Sequence, residues 1–454
     1  MSPSPPVCLY RLNRPLIRMT ATTTSTARTW LPRLAVLMAT CTGLMACGGS
    51  AAAGGASEAG TPAVVPAPGA PAQPIPANFI LGADVSSLDE VERLGGRFIT
   101  ADGRSGTALQ ILRASGIGWT RLRLWHTPVN DADVFEGNRL VSRRGDPVGG
   151  GNNDLAVTIR LAQRARAQGM KVLLDIHYSD FWVDPGQQTK PAAWTKLQGA
   201  ELGRAVRSYT EDVLRRMHEA GCDPDMVQVG NEVNGGMLWP DGKTWQEKPG
   251  EVIGGDAGFV AMLREGIAGV RATDALRGGQ RLPVMLHLAK GGDNELFRRV
   301  FDLFTREQLD YDVIGLSWYP YFHGPMSGLR ANLNDLSSRY YKPLIVVETA
   351  YGFTLDNGDA GANIFNDEAA KLSGYAATPE GQAQLLTDLI RTVAAVPNGA
   401  GVMYWEPAWL PVAGSGWRNG DGNSWDNQAL FDFKGRALPS LNVFKQVRQA
   451  ATAR

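Results

Sequence analysis

Glu232 and Glu348 each close a short apolar run, Met226–Gly230 and Leu344–Glu348, of the kind that forms a buried strand. Two carboxyl groups flanking one bond are the minimal apparatus for cutting a glycosidic link. One protonates the departing oxygen, and the other acts as base or nucleophile. At a separation of roughly 5–5.5 Å the second carboxylate attacks directly, and configuration is retained. Either glutamate alone would serve equally well as a structural ion pair. Two at strand ends, one preceded by Asn231, favour chemistry. Asp84, Arg123, His177 with Asp180, Tyr319 and Trp405 occupy similar strand-end positions.

The elements that would hold these residues follow from the texture of the chain after Phe79. Eight β-branched or apolar runs alternate with amphipathic stretches: Ile80–Val85, Trp119–Trp125, Lys171–His177, Met226–Gly230, Leu282–Leu288, Val313–Trp318, Leu344–Glu348 and Gly401–Trp405. Helical periodicity fills 154–168, 201–220, 257–272, 294–307 and 379–396, with Gly169 and Gly221 where a helix C-terminus calls for glycine. Strand–helix alternation of this length predicts one α/β domain, a (β/α)₈ TIM barrel over residues 79–454. A doubly wound open sheet is the competing arrangement, but the glycine-rich phosphate turn after its first strand is missing. In a barrel the active site lies at the C-terminal ends of the strands, so the polar residues above should converge on one cleft.

Longer motifs carry a resemblance. Gly230-Asn231-Glu232 and Val347-Glu348-Thr349 resemble the retaining barrel glycosidases of clan A. Gly82-Ala83-Asp84-Val85-Ser86, Arg121-Leu122-Arg123-Leu124-Trp125, the run from Asp175 to Pro185, Trp318-Tyr319-Pro320-Tyr321 and the run from Asp426 to Asp432 are similar to glycoside hydrolase family 53, the arabinogalactan endo-β-1,4-galactanases. The likeness extends from Phe79 to the C-terminus. It implies that Glu348 is the nucleophile and Glu232 the acid/base. Arg123 is expected beside Glu348, depressing its pKa, with Tyr319 bonded to the same carboxylate. Asn231 would bond the sugar 2-OH, and Asp84, His177 and Asp180 are expected to meet substrate hydroxyls or support the site. The implied partner is β-1,4-galactan or arabinogalactan. Trp182, Trp239, Trp405 and Trp417 are candidate stacking platforms, Trp405 foremost.

No cofactor is expected for catalysis. His177 and Asp180 supply one imidazole and no thiol, a poor set for a catalytic metal. Bacterial members of the resembled family carry a calcium ion joining the loops after strands seven and eight. Asn357, Asp359, Asn363 and Asp426 supply oxygens for it here, and Gly361 departs where a side-chain ligand is expected.

Bulk composition narrows partners and location. Lys+Arg and Asp+Glu both number 45, so there is no charge excess to draw nucleic acid or an anionic membrane. Residues 1–47 read as an export signal: basic Arg28 and Arg33, an apolar run from Leu34 to Ala46 too short to span a bilayer, then Cys47 in a lipobox-like context. Met19 offers an alternative start. Residues 48–78 form an Ala/Gly/Pro-rich linker. Of four cysteines only Cys222 falls within the domain, so it holds no internal disulfide. The expectation is an exported monomer, tethered to the cell envelope by lipid on Cys47 or secreted. Two alternatives stay open: another clan A endo-glycanase acting on mannan, cellulose or xylan, and a non-catalytic glycan-binding lipoprotein.

Overall fold

The computed structural model of the chain describes residues 75–452. The leader, Cys47 and nearly all of the linker lie outside the described residues. Eight parallel strands form a closed barrel: β1 Ile80–Asp84, β2 Trp119–Leu124, β3 Lys171–Ile176, β4 Met226–Val229, β5 Val284–Leu288, β6 Val313–Ser317, β7 Leu344–Glu348 and β8 Gly399–Trp405. The ring order β1-β8-β7-β6-β5-β4-β3-β2 places β4 diametrically opposite β8. β5 begins at Val284, two residues later than the sequence pattern predicts, because Pro283 has no N–H to give a ladder. Among the described residues no helix is long and apolar enough to cross a membrane.

Strand alternation builds the interior in layers. Leu173, Met226, Met285, Val313, Ile345, Val347 and Met403 plug the barrel. Gly82 and Gly315 face the Met403 and Met285 side chains, where an added Cβ would meet them at 2.8 and 2.6 Å. Two residues further along several strands come polar groups: Arg121 and Arg123, Asp175, Gln228 and His287. The intervening Leu122, Leu124, Val172, Leu174 and Ile176 join the outer core beneath the helices. Helices Leu155–Ala167, Gly199–Glu219, Gly255–Ala272, Asn294–Arg306, Met326–Tyr340 and Pro379–Ala394 pack outside. The first carries Asp154 as N-cap, bonded to the Val157 amide at 2.7 Å, and is followed by Gly169 at φ +67°.

Candidate active site

Strict alternation would turn Glu348 outward, since Val347 already faces the plug. The register solves this. Leu316 pairs with Val346, but Ser317 pairs with Glu348, so a bulge skips Val347 and turns the next side chain into the barrel. Glu232 is aimed differently. β4 ends at Val229, and the chain runs through Gly230 and Asn231 to Glu232 at φ +46°, in the left-handed region that non-glycine residues avoid. A bulky residue held there marks a position that the surroundings dictate. Oxygens of Glu232 and Glu348 lie within 4.8 Å of each other, with a His287 ring nitrogen in the same radius.

The cation beside Glu348 is Arg121, not Arg123. The Arg121 Nη2 atom lies 2.8 Å from Glu348 Oε1 and 2.8 Å from Asp175 Oδ2, and Nη1 lies 2.8 Å from Asp84 Oδ2. Arg123, two residues along the same face, bonds Asp84 Oδ1 at 3.0 Å and Glu406 at 2.5 Å and lies 4.9 Å from the centre of the Trp405 ring. Both guanidiniums are buried, and unpaired they would carry a large desolvation cost; the surrounding carboxylates keep Arg121 charged. The expected depression of the Glu348 pKa is not met: burial pushes it up, and Arg121 opposes without reversing it. Tyr319 donates to Glu348 Oε2 at 3.1 Å, its phenol held neutral by burial and the adjacent charge.

Glu232 is pushed well above the ordinary carboxyl range, first by burial and then by the charge of Glu348. Ser317 donates to its Oε1 at 2.5 Å. Behind Ser317 stands His287, with Nε2 at 2.8 Å from the serine oxygen and a pKa driven well down by burial, so the imidazole is neutral. Asn231 accepts from Arg121 at 2.8 Å through Oδ1 and donates to the Val183 carbonyl at 2.8 Å, leaving one amide hydrogen unused by those bonds.

Asp84, His177 and Asp180, expected to meet substrate hydroxyls or support the site, all have partners within the protein. Asp84 is fully buried and accepts from Ser86, Arg121 and Arg123. His177 accepts the Val183 amide at Nδ1, so Nε2 carries the hydrogen that meets Asp175 at 2.9 Å. Asp180 ties two loops together through the amides of Thr127 at 3.0 Å and Ala192 at 2.7 Å. Trp405 is buried, stacks on Trp417 with centroids 5.7 Å apart, and meets Trp425 edge-on. Trp182 packs 5.7 Å from Trp417, while Trp239 sits apart, beyond β4. Arg121, Asp175, Gln228, His287, Ser317 and Glu406 were not singled out from the sequence. Period-two spacing is the signal that reaches several of them: Arg121 precedes Arg123, and Asp175 precedes His177, by one full pleat.

The loops after β7 and β8 meet where calcium is expected. Asp426 accepts from the Gly358 amide at 3.0 Å and from Asn363 Nδ2 at 2.9 Å. Asp359 accepts from Gly361 and Asn423 amides at 2.6 and 2.7 Å, and Asn357 accepts from the Asn363 amide at 3.3 Å. Asn363 Oδ1 is buried without a hydrogen-bond partner. An orphaned oxygen beside two clustered carboxylates is a donor set that fits a hard cation. Gly361 has a steric reason: a Cβ there would meet the Gly422 backbone at 3.1 Å.

A closed parallel barrel with two facing carboxyl groups at the ends of β4 and β7 defines a (β/α)₈ glycoside hydrolase. Residues 80–444 match Glycosyl hydrolase family 53, and the chain belongs to that family. An uncharacterized protein from the bgaB 5′ region of Niallia circulans is 42% identical over 369 residues, covering 81% of this chain and 93% of the relative. An endo-beta-1,4-galactanase of Bacillus subtilis (strain 168) is 34% identical over 398 residues, covering 81% and 86%. Among solved structures, the GH53 catalytic domain of Ignisphaera aggregans matches with a TM-score of 0.73 at 38% identity, covering 83% of this chain and 99% of that one.

Proposed function

We propose that this chain cuts internal β-1,4-galactosidic bonds of galactan or arabinogalactan with retention of configuration, Glu348 acting as nucleophile and Glu232 as acid/base. The carrying observation is the spacing: one oxygen of each carboxyl group lies within 4.8 Å of the other, close to the roughly 5–5.5 Å of retaining enzymes and short of the roughly 6.5–9.5 Å that inverting enzymes keep for a water. The galactanase relatives support the substrate.

The surroundings give each carboxyl group a role. Arg121 and Tyr319 hold one oxygen each of Glu348, fixing its plane for attack on the anomeric carbon. The Ser317 hydroxyl occupies Glu232 Oε1, so the proton of the acid belongs on Oε2, free to meet the glycosidic oxygen. When Glu348 becomes glycosylated its charge disappears, and with it the largest cause after burial that raises Glu232. Glu232 then ionises more readily and takes a proton from water in the second step. Asn231, braced by Arg121 and the Val183 carbonyl, presents its remaining amide hydrogen to the sugar 2-OH.

Linear β-1,4-galactan should release short galacto-oligosaccharides with an early drop in viscosity, while cellulose, mannan and xylan should yield almost none. Proton NMR should show the β-anomer of the new reducing end first. Comparable activity on mannan or cellulose would sink the substrate, and the α-anomer first would sink the mechanism. The polymer is too large to be imported whole, which suits the export signal expected to end at Cys47.

We also propose that calcium sits among Asn357, Asp359, Asn363 and Asp426, clasping the loops after β7 and β8 and supplying no chemistry. Because it would bind only the folded state, added calcium at 100 times its Kd should stabilise by about 2.7 kcal/mol. Melting temperature should fall on chelation and recover on calcium addition. An identical melting curve in chelator and in calcium would remove the ion.

A further inference from the structure

Two more tryptophans rise on the opposite wall from Trp405, in the loop that leaves β4. A short antiparallel ribbon, 236–237 with 242–243, brings Trp239 and Trp245 together edge to face, with centroids 5.7 Å apart. Both lean over Gly235, three residues beyond Glu232. A Cβ on that glycine would meet the Trp245 indole nitrogen at 2.9 Å and Trp239 at 3.7 Å. Three residues of chain span no more than about 11 Å, so this pair stands beside the acid/base. The Trp239 amide donates to the Gln188 carbonyl at 2.8 Å, and the Gln188 side chain donates to the Asn231 carbonyl at 2.8 Å, so the loop is tied to the backbone of the site.

The two rings differ in what they offer. Trp239 is half-buried, with its indole N–H bonded to the Gly235 carbonyl at 3.3 Å. Trp245 is 43% exposed, although it is firmly backed. The Lys243 ammonium lies 4.1 Å from its centroid, nearly buried, and is neutralised by Glu251 at 2.7 Å. Exposing a large indole fixed in this way gains the free protein nothing. The large apolar side chains this loop exposes are Trp245 and Val252, set among exposed Gln246, Glu247 and Lys248, a patch too small and too polar-rimmed for a docked protein. It suits a ligand with one apolar face and a polar edge, which is what a pyranose presents.

Position gives the direction. The acid delivers its proton to the oxygen that leaves with the departing sugar, so the loop issuing from Glu232 flanks the leaving side. Resting on the galactanase reading above, we propose that Trp245, backed by Lys243 and Trp239, is the stacking platform for a galactosyl unit of the leaving, reducing-end part of the chain. The cleft then has two aromatic walls of opposite duty, Trp405 at the end of β8 with Trp417 in the loop that follows, and Trp245 beyond β4.

The experiment compares linear galactan with an aryl β-galactobioside, whose leaving group is not a sugar. In Trp245→Ala the ratio of kcat/KM on galactan to that on the aryl substrate should fall about tenfold, the scale of one lost stacking contact. Trp245→Phe should fall between, and transfer of galactosyl units to added galactobiose should decline in the same order. Melting temperature should hold in both variants. An unchanged ratio, or equal losses on both substrates, overturns the platform and leaves the substrate reading standing. Wild-type enzyme that turns over the aryl substrate but not galactan overturns both.

Discussion

Replacing Glu348 with alanine should lower turnover of galactan by roughly 10⁴-fold or more, because the first step then has no nucleophile. The side chain is the convergence point of the site: Arg121 at 2.8 Å, Tyr319 at 3.1 Å and a β-bulge all serve to aim it. Alanine leaves a space beneath the anomeric carbon. Azide is small and anionic, and Arg121 remains there to attract it. Added azide should therefore restore part of the rate on an activated aryl galactoside, and the product should be the glycosyl azide of inverted configuration. The readouts are the aryl release rate against azide concentration and the anomeric coupling of the product. A β-configured azide, or full activity without azide, would take the nucleophile away from Glu348.

The fold was legible because its signal is local and strong. Eight apolar runs of strand length, separated by helical periodicity, admit few closed arrangements, and the runs agree with the strands to within two residues at each end. The helix Met326–Tyr340 was not legible. Its Gly, Ser and Asn residues are weak helix formers, and the burial of Leu329, Leu333 and Leu336 against the barrel outweighs that preference. The two glutamates could be found from strand ends alone, but their surroundings could not. Arg121 and Arg123 stand one pleat apart on the same face, and nothing in the pattern says which reaches β7 and which reaches Glu406 on the β8 side. Strand tilt and register decide that, through side chains from distant parts of the chain. The same holds for Asp84, His177 and Asp180. Sequence places them at the mouth, but whether a polar group faces substrate or is consumed by a neighbour depends on the atoms around it. Ser317 and His287, ordinary residues in ordinary strands, gain meaning only because β5 and β6 lie next to β4 and β7.

Glu232→Ala should separate substrates by their leaving groups. On galactan the departing sugar alkoxide needs a proton, and removing the acid should cost about 10²–10⁴-fold in rate. An aryl leaving group with a low pKa needs none, so glycosylation should proceed, while deglycosylation lacks its base and the covalent intermediate accumulates. A burst of aryl alcohol followed by a slow steady state is the expected time course. The pH profile follows from the same electrostatics. Glu232 must be protonated, and burial and the Glu348 charge raise its pKa, so wild-type kcat/KM should fall as pH rises through that raised value. Glu348 must be ionised, so the rate should also fall as pH drops through its own pKa, which burial raises against the opposition of Arg121. The profile on galactan should be a bell, whose two limbs belong to the coupled pair. In Glu232→Ala, assayed on the activated aryl substrate, the alkaline limb should vanish and the acid limb should remain. An alkaline limb that persists in this variant would assign it to another group. Equal losses on galactan and on the aryl substrate in the first step would show that Glu232 is not the proton donor.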